Sequence, residues 1–313
     1  MELTTIAKRN SFFRGFKVKF WKSKYLLLMI LPAIVFYIIF NYIPMYGILM
    51  AFKNYKPKLG IIGSPWNGVD NFAKVFRKPE FWQAFQNTVI IGSIKIVLSF
   101  VAAVTVALLL NELRMRRSKK VIQTIVTFPH FLSWVVVSGF IFSLFSYNGA
   151  VNSIIASFGG DRSNFLKDVG FNFGLIFASD IWKEAGWGSI IYLATMAGIP
   201  QDQYEAADID GATRLQKIWH ITLPGIKATA ILLLIMSVGG VLSAGFDQIL
   251  NIANPLVRED VNIIDTYIYY HAIKGTDGAG VGTAIGLFKS VIGFTLVIIV
   301  DRIAKLCGER GII

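Results

Sequence analysis

The sequence predicts an all-α protein that crosses a membrane six times. Apolar residues make up 54% of the 313 residues and charged residues only 16%, whereas soluble domains contain about 25% charged residues. Six runs are nearly uncharged and long enough for a span of about 20 residues. They lie at about residues 25–50, 88–110, 121–147, 172–199, 226–248 and 279–301. The predicted transmembrane domain therefore covers residues 25–306, between a basic N-terminal segment (residues 1–24) and a tail (residues 307–313).

Two prolines interrupt the first span, and the loop after it contains several turn signals. Pro32 and Pro44 each lack a backbone donor, so we expect kinks there, which are tolerated where neighbouring helices satisfy the freed carbonyls. The Lys-Pro, Gly-Ser-Pro-Trp and Lys-Pro-Glu groups of residues 53–87 predict turns. Aromatic side chains of this loop are expected at the membrane surface. They are Trp66, Phe72, Phe76, Phe81 and Trp82.

Lysine and arginine are distributed unevenly between the two ends of these spans. With the N-terminus inside, the inner segments contain 18 basic residues and the outer loops contain 10. Because cytoplasmic flanks retain positive charge during insertion, both termini and the loop of residues 200–224 are expected in the cytoplasm. Basic residues at the ends of the spans also account for the net charge of +12, because they can contact membrane lipid. Nucleic acid is therefore not expected as a partner.

The loop of residues 200–224, called the coupling loop below, begins with a predicted short helix. Pro200 ends the preceding helix, and Asp202 with Glu205 three residues later predicts a capping box that starts the new one. Gly211 suits the turn after this helix, because a left-handed conformation costs least where there is no Cβ atom. The sequence thus predicts a helix followed by a tight turn.

A second short helix is predicted in the same loop. Thr213 and Gln216 repeat the capping pattern, so this helix is expected to run to about Leu223. Pro224 is expected to mark its junction with the next span. Two short helices joined at a glycine would form a compact knob between two membrane spans.

The coupling loop contains the spacing E-A-A-x3-G-x9-I-x-L-P. This spacing resembles the EAA loop of the membrane-spanning subunits of type I binding-protein-dependent ABC importers. Taken alone, its glutamate or glycine would also fit an ordinary hairpin between spans. The two alanines would give the first short helix a flat side that a partner can approach closely. The resemblance implies an ATPase-docking role for Glu205, Ala206, Ala207, Asp210, Gly211, Ile221, Leu223 and Pro224.

Further segments along nearly the whole chain are similar to permeases of the maltose-importer-like carbohydrate-uptake family, in particular the branch that serves complex oligosaccharides and polysaccharide fragments. They include Phe128-Pro129-His130-Phe131-Leu132-Ser133-Trp134, Gly186-Trp187-Gly188, Phe246-Asp247-Gln248, Asn254-Pro255-Leu256-Val257 and Gly308-Glu309-Arg310-Gly311. The large extracytoplasmic insert of one maltose-importer relative is absent from this sequence. The resemblance implies the type I importer transmembrane fold and an oligosaccharide as cargo.

The resemblance also implies several partners in the cytoplasmic membrane. A second permease would complete a heterodimer, two nucleotide-binding ATPase subunits would drive transport, and an extracytoplasmic solute-binding protein would deliver the sugar. No G-x4-G-K-[ST] phosphate loop occurs in the sequence, so we expect no cofactor on this chain, with ATP and Mg on the partner ATPase. The glycine-rich residues 278–282 lack a preceding strand and are expected to serve helix packing.

Charged and aromatic residues within the spans are candidates for the sugar path, because charges at membrane depth usually face a cavity or a partner. Aromatic faces flanked by hydrogen-bonding groups suit sugars, whose C–H faces are apolar. The alternative is that these residues only occupy the membrane interface, where aromatic residues are common. One candidate set lies in the fourth span and the other at the end of the fifth. They are Trp182, Lys183, Glu184, Trp187 and Tyr192, and Phe246, Asp247 and Gln248.

Two lysines lie deeper within their spans. Lys95 and Lys289 could line the path, pair with an acid or snorkel towards the interface, and pairing with an acid of the partner permease is favoured. The histidines fall in three different regions, so no shared metal site is expected. They are His130, His220 and His271. The single cysteine, Cys307, excludes an intrachain disulfide.

Two other function classes compete with the importer. A self-contained secondary transporter could relay protons through Asp180, Lys183 and Glu184, but it would need inverted repeats and a mid-membrane acid. It also leaves the coupling loop unexplained. A membrane-embedded enzyme would need a nucleophile–base pair or a metal cluster at membrane depth, and neither is apparent. Within the importer class, a smaller sugar or a polyol phosphate is the alternative cargo.

Overall fold

The computed structural model describes residues 23–113 and 115–306, so most of the N-terminal segment and the tail with Cys307 lie outside the described residues. Within those ranges the chain is helical apart from loops and one isolated bridge between Lys53 and Trp66. The α-helices are α1 (Lys24–Tyr37), α2 (Gly60–Gly63), α3 (Asp70–Phe76), α4 (Pro79–Asn111), α5 (Arg116–Thr127), α6 (Trp134–Phe145), α7 (Ala150–Ser157), α8 (Val169–Ala197), α9 (Gln201–Ile209), α10 (Arg214–Lys217), α11 (Leu223–Gly239), α12 (Phe246–Ile252), α13 (Arg258–Val261), α14 (Ile264–Tyr267) and α15 (Gly278–Leu306).

Shorter segments with other helical hydrogen bonding join these helices. The π turns are Ile38–Tyr42, Ile218–Thr222 and Ile268–Ile273. The 3-10 segments are Ile43–Phe52, Pro57–Leu59, Phe128–Phe131, Phe165–Lys167 and Val241–Ser243.

Five helical segments in the described ranges are long and apolar enough to cross a membrane. They are Lys24–Phe52, Pro79–Asn111, Trp134–Ser157, Arg214–Gly239 and Gly278–Leu306. The helix α8 has 29 residues, which is long enough to cross a membrane, but three charged residues, Asp180, Lys183 and Glu184, lie within five consecutive positions in its middle. The all-α membrane fold is therefore confirmed, whereas the number of crossings stays a prediction.

The structure interrupts two of the predicted spans. Helix α5 ends at Thr127, because the 3-10 turn that follows contains Pro129, which lacks a backbone donor. Helix α6 then begins after Ser133, whose hydroxyl accepts from the Val136 amide. In the fifth predicted span, α11 ends at Gly239, and the chain becomes α-helical again only at Phe246.

The loop after the first span differs from the prediction at one aromatic residue. Phe81 is fully buried against Val75, Ile264 and Tyr267, and it does not face the membrane surface. It is buried because α4 begins at Pro79, in the first helical position where proline fits well. The helix therefore starts well before the predicted boundary and turns Phe81 into the core.

The centre of the fold is the parallel pair α4 and α8, the most extensive helix contact in the described residues. Glycines allow the closest approaches to this pair. A Cβ atom at Gly186 would lie 2.0 Å from the Val126 carbonyl oxygen, and one at Gly92 would lie 2.1 Å from that of Val241. By contrast, α1 has no buried residue, as expected for a helix surrounded by lipid. The α4–α8 pair is thus the scaffold on which the functional side chains are placed.

Candidate coupling loop and transport cavity

The coupling loop forms a compact helix-turn-helix unit beyond the end of α8. Helix α9 starts directly after Pro200, whose extended backbone precedes the first turn, and no side chain caps it. The predicted capping box of Asp202 and Glu205 is wrong. Asp202 already lies inside the first helical turn, because Pro200 occupies the N-cap position.

The turn after α9 has the predicted geometry. Gly211 adopts φ +73°, in the left-handed region. The Ala212 amide donates to the Ala207 carbonyl at 2.9 Å, and the Gly211 amide donates to Asp208 at 3.2 Å, which satisfies the last carbonyls of the helix. A Cβ atom at this glycine would meet nothing within 4 Å. The glycine is therefore required by its backbone angle and not by lack of space.

The second capping prediction is confirmed. The Gln216 side chain accepts from the Thr213 amide at 2.7 Å, and the Gln216 amide donates to the Thr213 hydroxyl at 3.4 Å. The helix does not end near Leu223, however. It passes through the π turn Ile218–Thr222 and continues as α11. The π turn ends two residues before Pro224, which lacks a backbone donor.

The coupling loop exposes three large apolar side chains that are not part of the predicted docking set. Ile209, Leu215 and Trp219 have exposed fractions of 87%, 68% and 66%. Glu205, Ala206, Asp210 and Gly211 are exposed nearby, while Ala207, Ile221 and Leu223 are half-buried. Exposed apolar groups with a polar rim are typical of protein interaction surfaces. The presence of large apolar residues in an otherwise polar loop could have indicated this surface from the sequence.

A cavity of about 320 Å³ lies between α4, α8 and α11. It combines aromatic, apolar and charged side chains. Its lining includes Lys95, Ser99, Phe100, Glu184, Trp187, Tyr192, Leu233, Leu234 and Ser237. Of the predicted path residues, the structure therefore brings Glu184, Trp187 and Tyr192 to this cavity. Sequence reasoning missed Ser99 and Ser237.

One wall of the cavity is built around His130. Its ring stacks on the Trp187 ring with centroids 4.4 Å apart and planes 4° from parallel. Its Nδ1 atom lies 2.7 Å from Glu184 Oε2. The Lys183 ammonium donates to the His130 carbonyl at 2.6 Å and to Glu184 at 3.3 Å. Lys183 is thus buried behind this wall and fixes the orientation of its members.

The remaining path candidates lie elsewhere. Trp182 is half-exposed and does not line the cavity. Phe246 contacts the Tyr269 ring, and Asp247 is exposed. Gln248 is fully buried, and its amide donates to the Ile176 carbonyl at 2.6 Å.

The two lysines within the spans find acids in this chain. Lys95 lies 3.1 Å from Asp180 and also donates to the Ala244 carbonyl and the Gln248 side chain. Lys289 donates to both oxygens of Asp265 at 2.7 Å. The expectation that the partner permease supplies the acids is therefore wrong for this structure. The acids are remote in sequence, so the sequence does not indicate which lysine meets which acid. Within the described residues, no group of three or more His, Cys, Asp or Glu side chains is placed so that it could hold a metal ion.

An all-helical membrane fold, with an exposed helix-turn-helix loop and a cavity between its central helices, is typical of transport permeases. The chain belongs to the family described as the binding-protein-dependent transport system inner membrane component, whose model matches residues 95–308. It is therefore a transport subunit of an inner-membrane system.

Two relatives come from Bacillus subtilis (strain 168). The polygalacturonan/rhamnogalacturonan transport system permease protein YteP is 41% identical, with 94% of this chain and 92% of the relative covered. The protein LplB is 42% identical, with 93% and 92% covered. Among solved structures, a bacterial alginate ABC transporter in complex with an alginate pentasaccharide-bound periplasmic protein has a chain that superposes with a TM-score of 0.85 at 34% identity. The superposition covers 94% of this chain and 98% of that one.

Proposed function

We propose that this chain is a permease subunit of an ATP-driven importer that moves an oligosaccharide, a complex sugar or polysaccharide fragment, into the cytoplasm. One observation supports this cargo. Over more than nine tenths of its length, the chain is similar to a polygalacturonan/rhamnogalacturonan permease and to a chain of an alginate transporter. The cavity lined by an aromatic ring and a carboxylate fits the same class of cargo. A smaller sugar or a polyol phosphate is the alternative cargo.

The coupling loop is the proposed contact with the ATPase subunits. Glu205, Asp210 and Gly211 lie on its exposed surface beside the apolar side chains of Ile209 and Trp219. An apolar centre with a polar rim is the usual anatomy of a protein interface. Both termini and this loop would face the cytoplasm, where ATP and Mg bind to the partner subunits.

The other partners follow from the same proposal. A second permease would pair with this chain as a heterodimer, and the cavity between α4, α8 and α11 would be completed at their interface. A solute-binding protein would deliver the sugar to the opposite end of the bundle. The length of α4 supports this separation of the two ends. The helix has 33 residues, and at about 1.5 Å per residue it spans roughly 50 Å, enough to cross the membrane.

Within the cavity we assign the sugar contact to Trp187 and Glu184. One face of the Trp187 ring is covered by His130, which leaves the other face for the apolar C–H groups of a sugar ring. The Glu184 carboxylate can accept hydrogen bonds from sugar hydroxyls. Lys183 and His130 hold that carboxylate in place, and Tyr192 contributes to the wall of the cavity.

The transport cycle then needs no chemistry on this chain. Closure of the ATPase subunits around ATP would draw the coupling loops of the two permeases together. This rigid-body motion would open the cavity outward to accept the sugar, and hydrolysis would return it to the inward-open state. Glu205, Ala207 and Gly211 transmit force in this cycle.

The test is uptake of a panel of labelled oligosaccharides by cells that lack this chain and are complemented with wild type or Gly211→Asp. We expect one sugar class to be lost on deletion and restored only by the wild type, with the variant still present in the membrane. Unchanged uptake of every sugar on deletion would contradict the cargo. Normal transport by Gly211→Asp would contradict the docking role, and uptake that persists without ATP would favour a secondary transporter.

A further inference from the structure

Two side-chain contacts join the coupling helix α9 to the helix that follows it. The Tyr204 hydroxyl lies 2.9 Å from the Thr222 hydroxyl, and the Lys217 ammonium donates to the Asp208 carboxylate at 2.6 Å. Tyr204 and Asp208 are four residues apart, so they lie on the same face of α9. The connection between the two helices is therefore made at two points along one face.

The two partners of α9, Lys217 and Thr222, flank the π turn. Lys217 and Thr222 lie at its two ends, and the Thr222 hydroxyl donates to the Lys217 carbonyl at 3.5 Å. The Tyr204 and Thr222 hydroxyls hydrogen-bond to each other, and either of them can be the donor. Thr222 is almost completely buried. The four side chains thus hold the π turn and the coupling helix as one unit.

The surroundings of this unit are open on one side. A polar cavity of about 400 Å³ separates it from the end of α4, where Asn111, Glu112 and Leu113 line the wall. Tyr204, Asp208 and Lys217 line the opposite wall. On this side the unit therefore borders open space and not tightly packed side chains.

The helix that leaves the unit reaches the transport cavity. Residues Leu233, Leu234 and Ser237 of α11 line that cavity. Ser237 lies 15 residues after Thr222 in the chain, about 22 Å along a helix. One continuous helix, from Arg214 to Gly239, thus connects the unit to the cavity.

We propose that Tyr204, Asp208, Lys217 and Thr222 form a coupling bracket through which movement of the ATPase-docking surface reaches the sugar cavity. The bracket makes α9 and α11 move together, so that a push on the exposed loop displaces Leu233 and Ser237. These four are positioning residues and touch neither ATP nor sugar. The inference rests on the proposed function, because it requires an ATPase that moves the loop.

The experiment uses the complete importer, reconstituted in proteoliposomes with its partner subunits and its solute-binding protein. The ratio of sugar imported to ATP hydrolysed is measured for wild type, Tyr204→Phe, Thr222→Val and the double variant. We expect each single variant to keep its ATP hydrolysis and to lower the ratio about fivefold, the factor associated with one hydrogen bond. The double variant should be no worse than either single variant, because both remove the same bond.

Two controls separate coupling from folding. Thr229→Val removes a hydroxyl from the same helix, one that contacts Thr195 at 3.3 Å outside the bracket, and should keep the wild-type ratio. Asp208→Lys and Lys217→Asp should each lower the ratio, and their combination should restore it because the ion pair is re-formed with reversed polarity. Recovery of the ratio in the combined variant would show that the contact between these two side chains, and not either charge alone, sets the ratio.

A normal ratio in both Tyr204→Phe and Thr222→Val would overturn the bracket, as would equal losses in the Thr229→Val control. The proposed function can fail separately. If the wild-type complex hydrolyses ATP in response to its binding protein but imports another solute, the oligosaccharide cargo is wrong. The ratio measured with that other solute then still tests the bracket.

Discussion

The His130 ring covers one face of the Trp187 ring, with centroids 4.4 Å apart and planes 4° from parallel. This stacking fixes the orientation of the tryptophan ring at the cavity wall. The Glu184 carboxylate beside it is fixed by contacts with His130 and Lys183. A ring held in this way loses little side-chain entropy when a sugar binds to its other face, since its rotamer is already fixed.

Replacement of this tryptophan is expected to reduce sugar uptake. Trp187→Ala should lower uptake about tenfold, the effect of a lost aromatic contact of about 1.4 kcal/mol, and Trp187→Phe should lower it less. Trp182→Ala is the matched control, because Trp182 lies on the same helix, has a similar exposure and does not line the cavity. Initial rates of labelled oligosaccharide uptake check this, and equal losses for both tryptophans would contradict the assignment.

The left-handed conformation of Gly211 leads to a prediction about charge. Asparagine and aspartate both tolerate positive φ values better than other non-glycine residues, and nothing within 4 Å would obstruct their Cβ atoms. Gly211→Asn should therefore keep most transport, whereas Gly211→Asp adds a charge to the proposed docking surface and should uncouple it. ATP-dependent uptake measures the difference. Equal activity of the two variants would show that this surface does not meet a partner.

Gly186 gives a prediction about folding. A Cβ atom there would lie 2.0 Å from the Val126 carbonyl oxygen, so Gly186→Ala must push α5 away from α8. We expect a loss of about 3 kcal/mol, the upper part of the usual range for overpacking. Gly174→Ala on the same helix meets nothing within 4 Å and should be tolerated. Thermal unfolding of the detergent-purified protein compares them, and similar melting temperatures would contradict the packing described.

The ion pair between Lys95 and Asp180 gives a prediction about non-additivity. Both side chains are at least 85% buried, so Lys95→Met leaves an uncompensated acid and should destabilise the protein by about 3 kcal/mol. Asp180→Asn should have a similar effect, and the double variant should be more stable than either single variant. Melting temperatures of the three proteins test this. A double variant whose loss equals the sum of the single losses would rule out the pairing.

Local patterns in the sequence predicted the parts of the coupling loop that depend on nearest neighbours. The turn at Gly211 and the Thr213–Gln216 capping box are fixed by backbone angles and by side chains three residues apart. The predicted cap at Asp202 failed because Pro200 already started the helix. Two capping patterns of equal quality thus gave different outcomes, decided by the residue that precedes them.

Features that depend on contacts between distant segments were not predictable. The chain positions of Lys95 and Asp180 are 85 residues apart, and the hydropathy of their spans does not indicate that the two side chains meet. The break at Pro129 lies within an apolar run, which composition alone makes look continuous. The cavity near Trp187 likewise depends on how closely α5 approaches α8 at Gly186. These features require the packed structure.

We propose that an ATPase drives this permease through its coupling loop. The most direct measurement is ATP-dependent uptake of labelled oligosaccharide into proteoliposomes with the complete importer, together with the amount of ATPase that co-purifies, for wild type and for Ile209→Asp. Ile209 is the most exposed apolar side chain of the loop, so we expect the charged variant to lose both the bound ATPase and the uptake. A variant that retains the ATPase and imports sugar at the wild-type rate would show that this loop does not couple the permease to the ATPase.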